Sequence, residues 1–284
     1  MTDNHYHVNK ILMRQSFSDA AQSYDDVAVL QREVGQRMCE RLQLLKQVPA
    51  QILDLGSGTG KHTVALHRIY KKARIVAMDI ALPMVKAAKK NKPWFSPLSY
   101  VCGDAEQLPL ADNSIDMIFS NLTLQWMTDL DATFAELRRI LKPEGVLMFT
   151  SFGPDTLKEL RDSWATVDEY SHVNAFIDMH DVGDALLRAG FAEPVMDVEH
   201  FTLTYADTTA LMRDLKLLGA HNVTQGRRRT LTAPGRLRAM QQAYEQYRSE
   251  GVLPASYEVV YGHAWQAAAP QAQVSLELPE KEKS

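Results

Sequence analysis

Between residues 51 and 152 short apolar runs alternate with helical patterns, and no other feature narrows the possible folds so far. QILDL (51–55), RIVAMDI (74–80), LSYVCGD (98–104), DMIFSNLTLQWM (116–127) and VLMFTSF (146–152) read as strands, the fourth running into a loop. Between them KHTVALHRIYK (61–71), ALPMVKAAKKN (81–91) and DLDATFAELRRIL (129–141) carry apolar residues at helical spacing. Pro83 is tolerated in a first helical turn, and Lys142-Pro143-Glu144-Gly145 closes the third helix. Strands separated by helices of this length predict a doubly wound, mostly parallel α/β sheet covered on both faces. Right-handed connections in such a sheet put ligands at the carboxyl ends of the strands.

The flanks read differently. Residues 11–47 form a helical pattern, with Val27, Leu30, Val34, Met38, Leu42 and Leu45 on one stripe, stopped by Pro49. Beyond Phe152, residues 153–170 and 178–191 read as helices, the second ended by Gly190. Strands follow at 195–206 and 257–267, around a helical run (207–250) that is basic in its middle. The segment after 266 reads as a disordered tail. This divides one structural domain into an N-terminal helical lid (1–48), a core (49–152), the rest of the sheet with a helical insertion near 205–250 (153–266), and the tail (267–284).

DLGSGTGK (54–61) joins the first strand to a helix, and spacing discriminates among its readings. A phosphate-binding GxxxxGK[ST] loop fails twice, because Leu55 stands where its first glycine belongs and His62 where Ser or Thr is needed. A dinucleotide GxGxxG fits poorly, since Gly60 comes one residue early and Lys61 takes the third glycine's place. A pyrophosphate stays possible at that spacing, and a third reading is an uncharged approach, that of a nucleoside with an amino-acid tail, against glycines whose missing Cβ leaves it room. Asp79 closes the second strand, where a carboxylate can accept both hydrogen bonds of a ribose diol.

An acid followed by GxGxG, then Asp79, Asp104-Ala105 and Asn121-Leu122 at successive strand ends, resembles the class I S-adenosylmethionine-dependent methyltransferases. The resemblance implies a Rossmann-like, seven-stranded-type fold. It implies S-adenosyl-L-methionine as cofactor, held by Asp54, Gly56, Ser57, Gly58 and Gly60 around the tail. Asp79 and Ile80 would hold the ribose, Asp104 and Ala105 the adenine, with Asn121 and Leu122 after the fourth strand. The flanks narrow the family. RQSFSDAAQSYDDVAVLQREVGQRMCERL (14–42), DLKLLGAHNVTQGR (214–227) and LPASYEVVYGHAW (253–265) resemble the malonyl-acyl carrier protein O-methyltransferases that open biotin synthesis. That family methylates the free carboxylate of a malonyl thioester, and the resemblance runs over about 10–265.

Such a carboxylate is already ionised at pH 7, so no general base is needed and none stands in SNLTLQW. The protein must strip water, align the nucleophile and keep solvent out. Phe17 and Tyr24 are the lid residues expected to do so. Arg suits a planar carboxylate, and Arg227 is the first candidate, among Lys216, His221, Asn222 and its neighbouring arginines. Arg213, Lys216, Arg228, Arg229, Arg236 and Arg238, facing only Asp214 in sequence, form a local positive field suited to docking an acidic acyl carrier protein.

A net charge of −4 and few aromatics near that patch argue against nucleic acid. Cys39 and Cys102 form no CxxC, and His5, His7, His62 and His67 no closed ligand set, so no metal is expected. The N-terminus lacks the apolar core of a signal peptide and no run approaches the ~18 residues of a membrane span, so a cytoplasmic protein without membrane contact is expected. Two rival readings share these motifs: a quinone or other small-molecule methyltransferase, and a non-catalytic cofactor-binding assembly factor.

Overall fold

The computed structural model describes residues 8–220, 222–224 and 232–268. Seven strands form one sheet: β1 (Gln51–Leu55), β2 (Arg74–Asp79), β3 (Leu98–Cys102), β4 (Ile115–Ser120), β5 (Leu141–Phe152), β6 (Phe191–Tyr205) and β7 (Leu253–Gln266). Their order is β3-β2-β1-β4-β5-β7-β6. The first five run parallel, and β7 lies antiparallel to both β5 and β6. The order reverses between β1 and β4, which opens a crevice beyond their carboxyl ends.

The short central strands are buried on both faces, as a near-continuous apolar run requires. Period-two alternation splits β1: Ile52 joins the core on one face, Leu53 and Leu55 that on the other. Helices α4 (Lys61–Ile69), α5 (Leu82–Lys90), α6 (Leu130–Ile140), α7 (Lys158–Ala165) and α8 (Met179–Arg188) cover these faces. Asp129 and Asp178 cap α6 and α8 by accepting from Ala132 and His180 N–H groups. Helices α9 (Thr208–Leu217) and α10 (Pro234–Tyr244) fill the connection between β6 and β7. Tyr244 is buried there and donates to the Pro254 carbonyl.

Tertiary contacts break several expected helices. The pattern over 11–47 becomes α1 (Lys10–Ala20), α2 (Tyr24–Val27) and α3 (Val29–Arg41). Ser23 Oγ donates to the carbonyls of Ala20 and, from α9, Leu217, which fixes the bend between the first two. The helix expected over 153–170 shrinks to α7, because Gly153 and Leu157 N–H groups donate instead to Glu258 and Ser256 of β7. The run 207–250 is interrupted after α9, where Gly219 at φ +70° packs on the Ser16 carbonyl of α1. Lys142–Gly145, expected as a helix closure, lies inside β5 as an irregularity; β4 skips one residue there while β5 skips four.

Candidate active site

All three turn glycines have left-handed backbones, at φ +72° for Gly56, +52° for Gly58 and +80° for Gly60. A crevice too tight for any side chain at these positions was the expectation, and it needs correction. A Cβ on Gly56 would lie 2.0 Å from Thr123 Oγ1, and one on Gly60 2.9 Å from the Ala88 Cβ of α5. Those two glycines serve packing. A Cβ on Gly58 would meet nothing nearer than Tyr24 at 4.0 Å, so this one faces open space.

Two cavities meet at this neck. The larger, about 640 Å³, is lined by Asp79, Ile80, Asp104, Ala105 and Leu122 under a roof of Met13 and Phe17. The smaller, about 430 Å³, holds Asp54, Ser57, Lys61, Gln31 and Arg32. Tyr24, Gly56, Gly58 and Asn121 line both. One lobe is mostly apolar with a ring of polar edges; the other is dense in charge.

The Asp79 carboxylate accepts from the Gly58 N–H (2.9 Å) and the Ala81 N–H (2.8 Å), which aims it into the larger lobe. Burial pushes its pKa up to about 6 against the pull of those bonds. Asp54, also buried, accepts from Thr63 Oγ1, and burial with the nearby Asp79 charge raises it to about 7. Both carboxylates have acceptor capacity beyond these bonds. A ligand that supplies hydroxyls or an ammonium favours their ionised forms and returns the desolvation cost.

Asn121 ties the end of β4 to the lid: its Nδ2 donates to the Gln31 carbonyl at 3.0 Å, and its Oδ1 accepts from Thr150. Leu122 follows at φ +49°, an uncommon conformation for a branched residue and the kind of strain that collects at functional sites. The Phe17 ring stands edge-on to Trp126 with centroids 5.2 Å apart, closing the larger lobe from above. Tyr24 is raised above the ordinary phenol range by burial and by Asp79 and Asp25, so it is a neutral wall.

Lys10 escaped the sequence reading. From the first turn of α1 its ammonium bonds both oxygens of Asp104 (2.9 and 2.7 Å) and reaches Glu106 at 2.6 Å. Burial alone would lower its pKa, but these partners hold it above its usual value. Asp104, expected at the adenine, is tied to the N-terminal helix α1. Gln31, Arg32 and Lys61 were missed too; on a charged helical stripe such residues read as a solvated face. Gln31 Oε1 and Ser57 Oγ are buried without a partner, orphaned polar atoms beside a ligand-sized space.

The substrate residues fare less well. Arg227, Arg228 and Arg229, with His221, lie outside the described residues, as does the tail from 269. Asn222 is committed: its amide donates to the Ser171 carbonyl, and the next residue accepts from Asn9 of the lid. Arg213, Lys216 and Arg238 are exposed on α9 and α10. Arg236 is exposed as well, but it pairs with Asp168 at 3.2 Å, so Asp214 is not the patch's sole acid. His62, once a conceivable ligand, packs its ring where a Gly35 Cβ would stand, and burial lowers its pKa; His5 and His7 lie outside the described residues. Asp155, His200 and Glu258 place ligand atoms within 4.8 Å of one another, but two of them are exposed and nothing further marks a bound cation. Among the described residues no helix is long and apolar enough to cross a membrane.

Comparison with known proteins agrees with this geometry. Residues 53–149 match a methyltransferase domain. A malonyl-acyl-carrier-protein O-methyltransferase of Gallionella capsiferriformans is 52% identical over 271 residues, covering 93% of each chain. One from a Methylovorus species is 49% identical and spans 97% of this chain and 94% of its own. Among solved structures, the YcgJ protein of Bacillus subtilis superposes with a TM-score of 0.57 at 14% identity, over 84% of this chain and all of that one. Haemonchus contortus phosphoethanolamine N-methyltransferase 2, solved with S-adenosyl-L-methionine, gives 0.53 at 15% over 87% of this chain and 56% of its own. At such identities these structures speak for the fold.

Proposed function

The chain belongs to the malonyl-acyl-carrier-protein O-methyltransferase family, and from that premise we propose how its cleft carries out the reaction. The enzyme uses S-adenosyl-L-methionine to methylate the free carboxylate of a malonyl thioester borne by an acyl carrier protein. The observation that carries the assignment to this cleft is its two-lobed shape. The apolar lobe with Asp79 at its edge suits a nucleoside, and the charged lobe suits a zwitterionic amino-acid end. Gly58 at the neck leaves the width that any Cβ would fill, and the orphaned Gln31 Oε1 and Ser57 Oγ offer partners to the polar tail.

When bound, the cofactor supplies a methyl group on a cationic sulfur. This chain does the rest. Asp79 accepts from the ribose hydroxyls and Asp104 and Ala105 border the adenine. In the smaller lobe, Asp54 balances the ammonium, while Arg32 and Lys61 balance the carboxylate. Phe17 and Trp126 cover the larger lobe and Tyr24 walls the neck, so that water is shed from the substrate's carboxylate and cannot compete as acceptor. Transfer of that methyl to a carboxylate oxygen would leave an ester and a thioether, both uncharged at those centres. No proton moves, in keeping with a cleft whose nearest histidine, His62, is packed against the lid. Arg227 remains the proposed partner of the substrate carboxylate, and the cations of α9 and α10 the proposed landing surface for the carrier. Neither a quinone substrate nor a non-catalytic role is favoured beside relatives of this identity.

The test is transfer of labelled methyl from S-adenosylmethionine to malonyl-acyl carrier protein, with mass gain of one methyl as readout. Transfer to a quinol with none to malonyl thioesters would overturn the assignment.

A further inference from the structure

A third cavity lies behind the segment that follows β4, and the reaction does not yet use it. Counted with the adjoining open solvent its space comes to about 370 Å³, and Met127 lines both it and the cofactor cleft. Its other walls are Leu124, Ile177 and Val182, with Gln125 and Ser151 as polar points. Gln125 lines this cavity and is bonded to a residue of the cleft. Its Nε2 donates to the carbonyl of Leu122, the strained residue of the cleft, at 2.7 Å. Its Oε1 is buried with no hydrogen-bond partner among the described residues. A buried acceptor left empty costs free energy that a ligand donor would recover.

The substrate's own size dictates what must lie there. In a malonyl thioester a single methylene separates carboxylate from thioester. With bonds of about 1.5 Å, the thioester sulfur sits only about 6 Å from the methyl being transferred. Whatever carries the thioester must therefore begin beside the cofactor cleft, in a space that shares a wall with it. A carrier protein presents its acyl group on an extended arm of methylenes and secondary amides. Apolar walls suit the methylenes, and an unpaired carbonyl oxygen suits an amide N–H. Resting on the malonyl-thioester reading above, we propose that this third cavity receives the amide-bearing thioester arm, with Gln125 Oε1 accepting from an arm N–H. Gln125 thereby couples arm binding to the Leu122 carbonyl at the reaction centre.

The test compares malonyl-pantetheine, which carries two amides, with the malonyl thioester of ethanethiol, which carries none. In Gln125→Leu the loss of kcat/KM on the pantetheine ester is expected to exceed the loss on the ethanethiol ester by about tenfold, the worth of one buried hydrogen bond. Ala175 is a further wall residue of this cavity, and Ala175→Leu, which narrows it, should show the same bias. Free pantetheine titrated into protein labelled at methionine methyl groups should shift the Met127 resonance, and should fail to do so in Ala175→Leu. Equal losses on both esters, or an unmoved Met127 signal, overturn the proposal. Should Gln125→Leu also weaken S-adenosylhomocysteine binding, the Ala175→Leu comparison decides. If the wild-type enzyme methylates neither ester nor the carrier-bound substrate, the malonyl reading itself fails, which is a separate outcome.

Discussion

Gly56, Gly58 and Gly60 look equivalent in DLGSGTG and are not. All three would be strained by a side chain, at about 1–2 kcal/mol for a left-handed backbone. Only the first and third would also collide with protein, at Thr123 and Ala88. Thr123 Oγ1 donates to the Leu55 and Asn121 carbonyls, so displacing it undoes the junction of β1 and β4. Gly56→Ala should therefore lower Tm more than Gly58→Ala does. Gly58→Ala should weaken S-adenosylhomocysteine at least tenfold in calorimetry while melting only a few degrees lower. Equal effects on stability and binding across the pair would show that Gly58 does not border the ligand. The motif revealed that glycines were needed here; which neighbour needs each one depends on residues far along the chain, Thr123 for Gly56 and Ala88 for Gly60.

The decisive element is the lid. Helical periodicity over 11–47 was visible in the sequence, yet the bend that turns Tyr24 into the neck was not, because Ser23 is held by a carbonyl of α9 far along the chain. Nor could the latch be seen: Lys10 and Asp104 are 94 residues apart. A partly exposed ion pair of this kind stabilises by up to about 1 kcal/mol. Lys10→Met should therefore raise amide exchange in residues 10–20 by roughly fivefold. Added S-adenosylhomocysteine should recover much of that protection through Phe17 and Tyr24, and high salt should mimic the substitution in the wild type. Exchange that does not change in Lys10→Met would mean the lid is held by Met13 and Phe17 packing alone.

At the scale of the whole molecule the charge distribution matters more than its sum. A chain of net charge −4 presents Arg213 and Lys216 one turn apart on α9 and Arg238 on α10, all exposed. Arg236 is partly spent on Asp168, so Arg213 and Lys216, without an ion pair among the described residues, make the cleaner probe. Arg213→Glu with Lys216→Glu should reduce kcat/KM for malonyl-acyl carrier protein by about tenfold at low ionic strength, and less at 0.5 M salt, as steering predicts. Malonyl-pantetheine should suffer several-fold less. A loss independent of both salt and carrier would rule out docking on this face.

The alternation of apolar runs, the left-handed glycine turn and the acids at strand ends are local properties, set by periodicity two against 3.6 and by which residues tolerate positive φ. They set the parallel part of the sheet and point to a crevice at its strand ends. The two-lobed shape of that crevice, the orphaned Gln31 and Gln125 oxygens, the Lys10 latch and the cavity behind Leu124 arise where distant segments meet. Burial and hydrogen-bond satisfaction are sums over neighbours in space, and a linear pattern does not carry them.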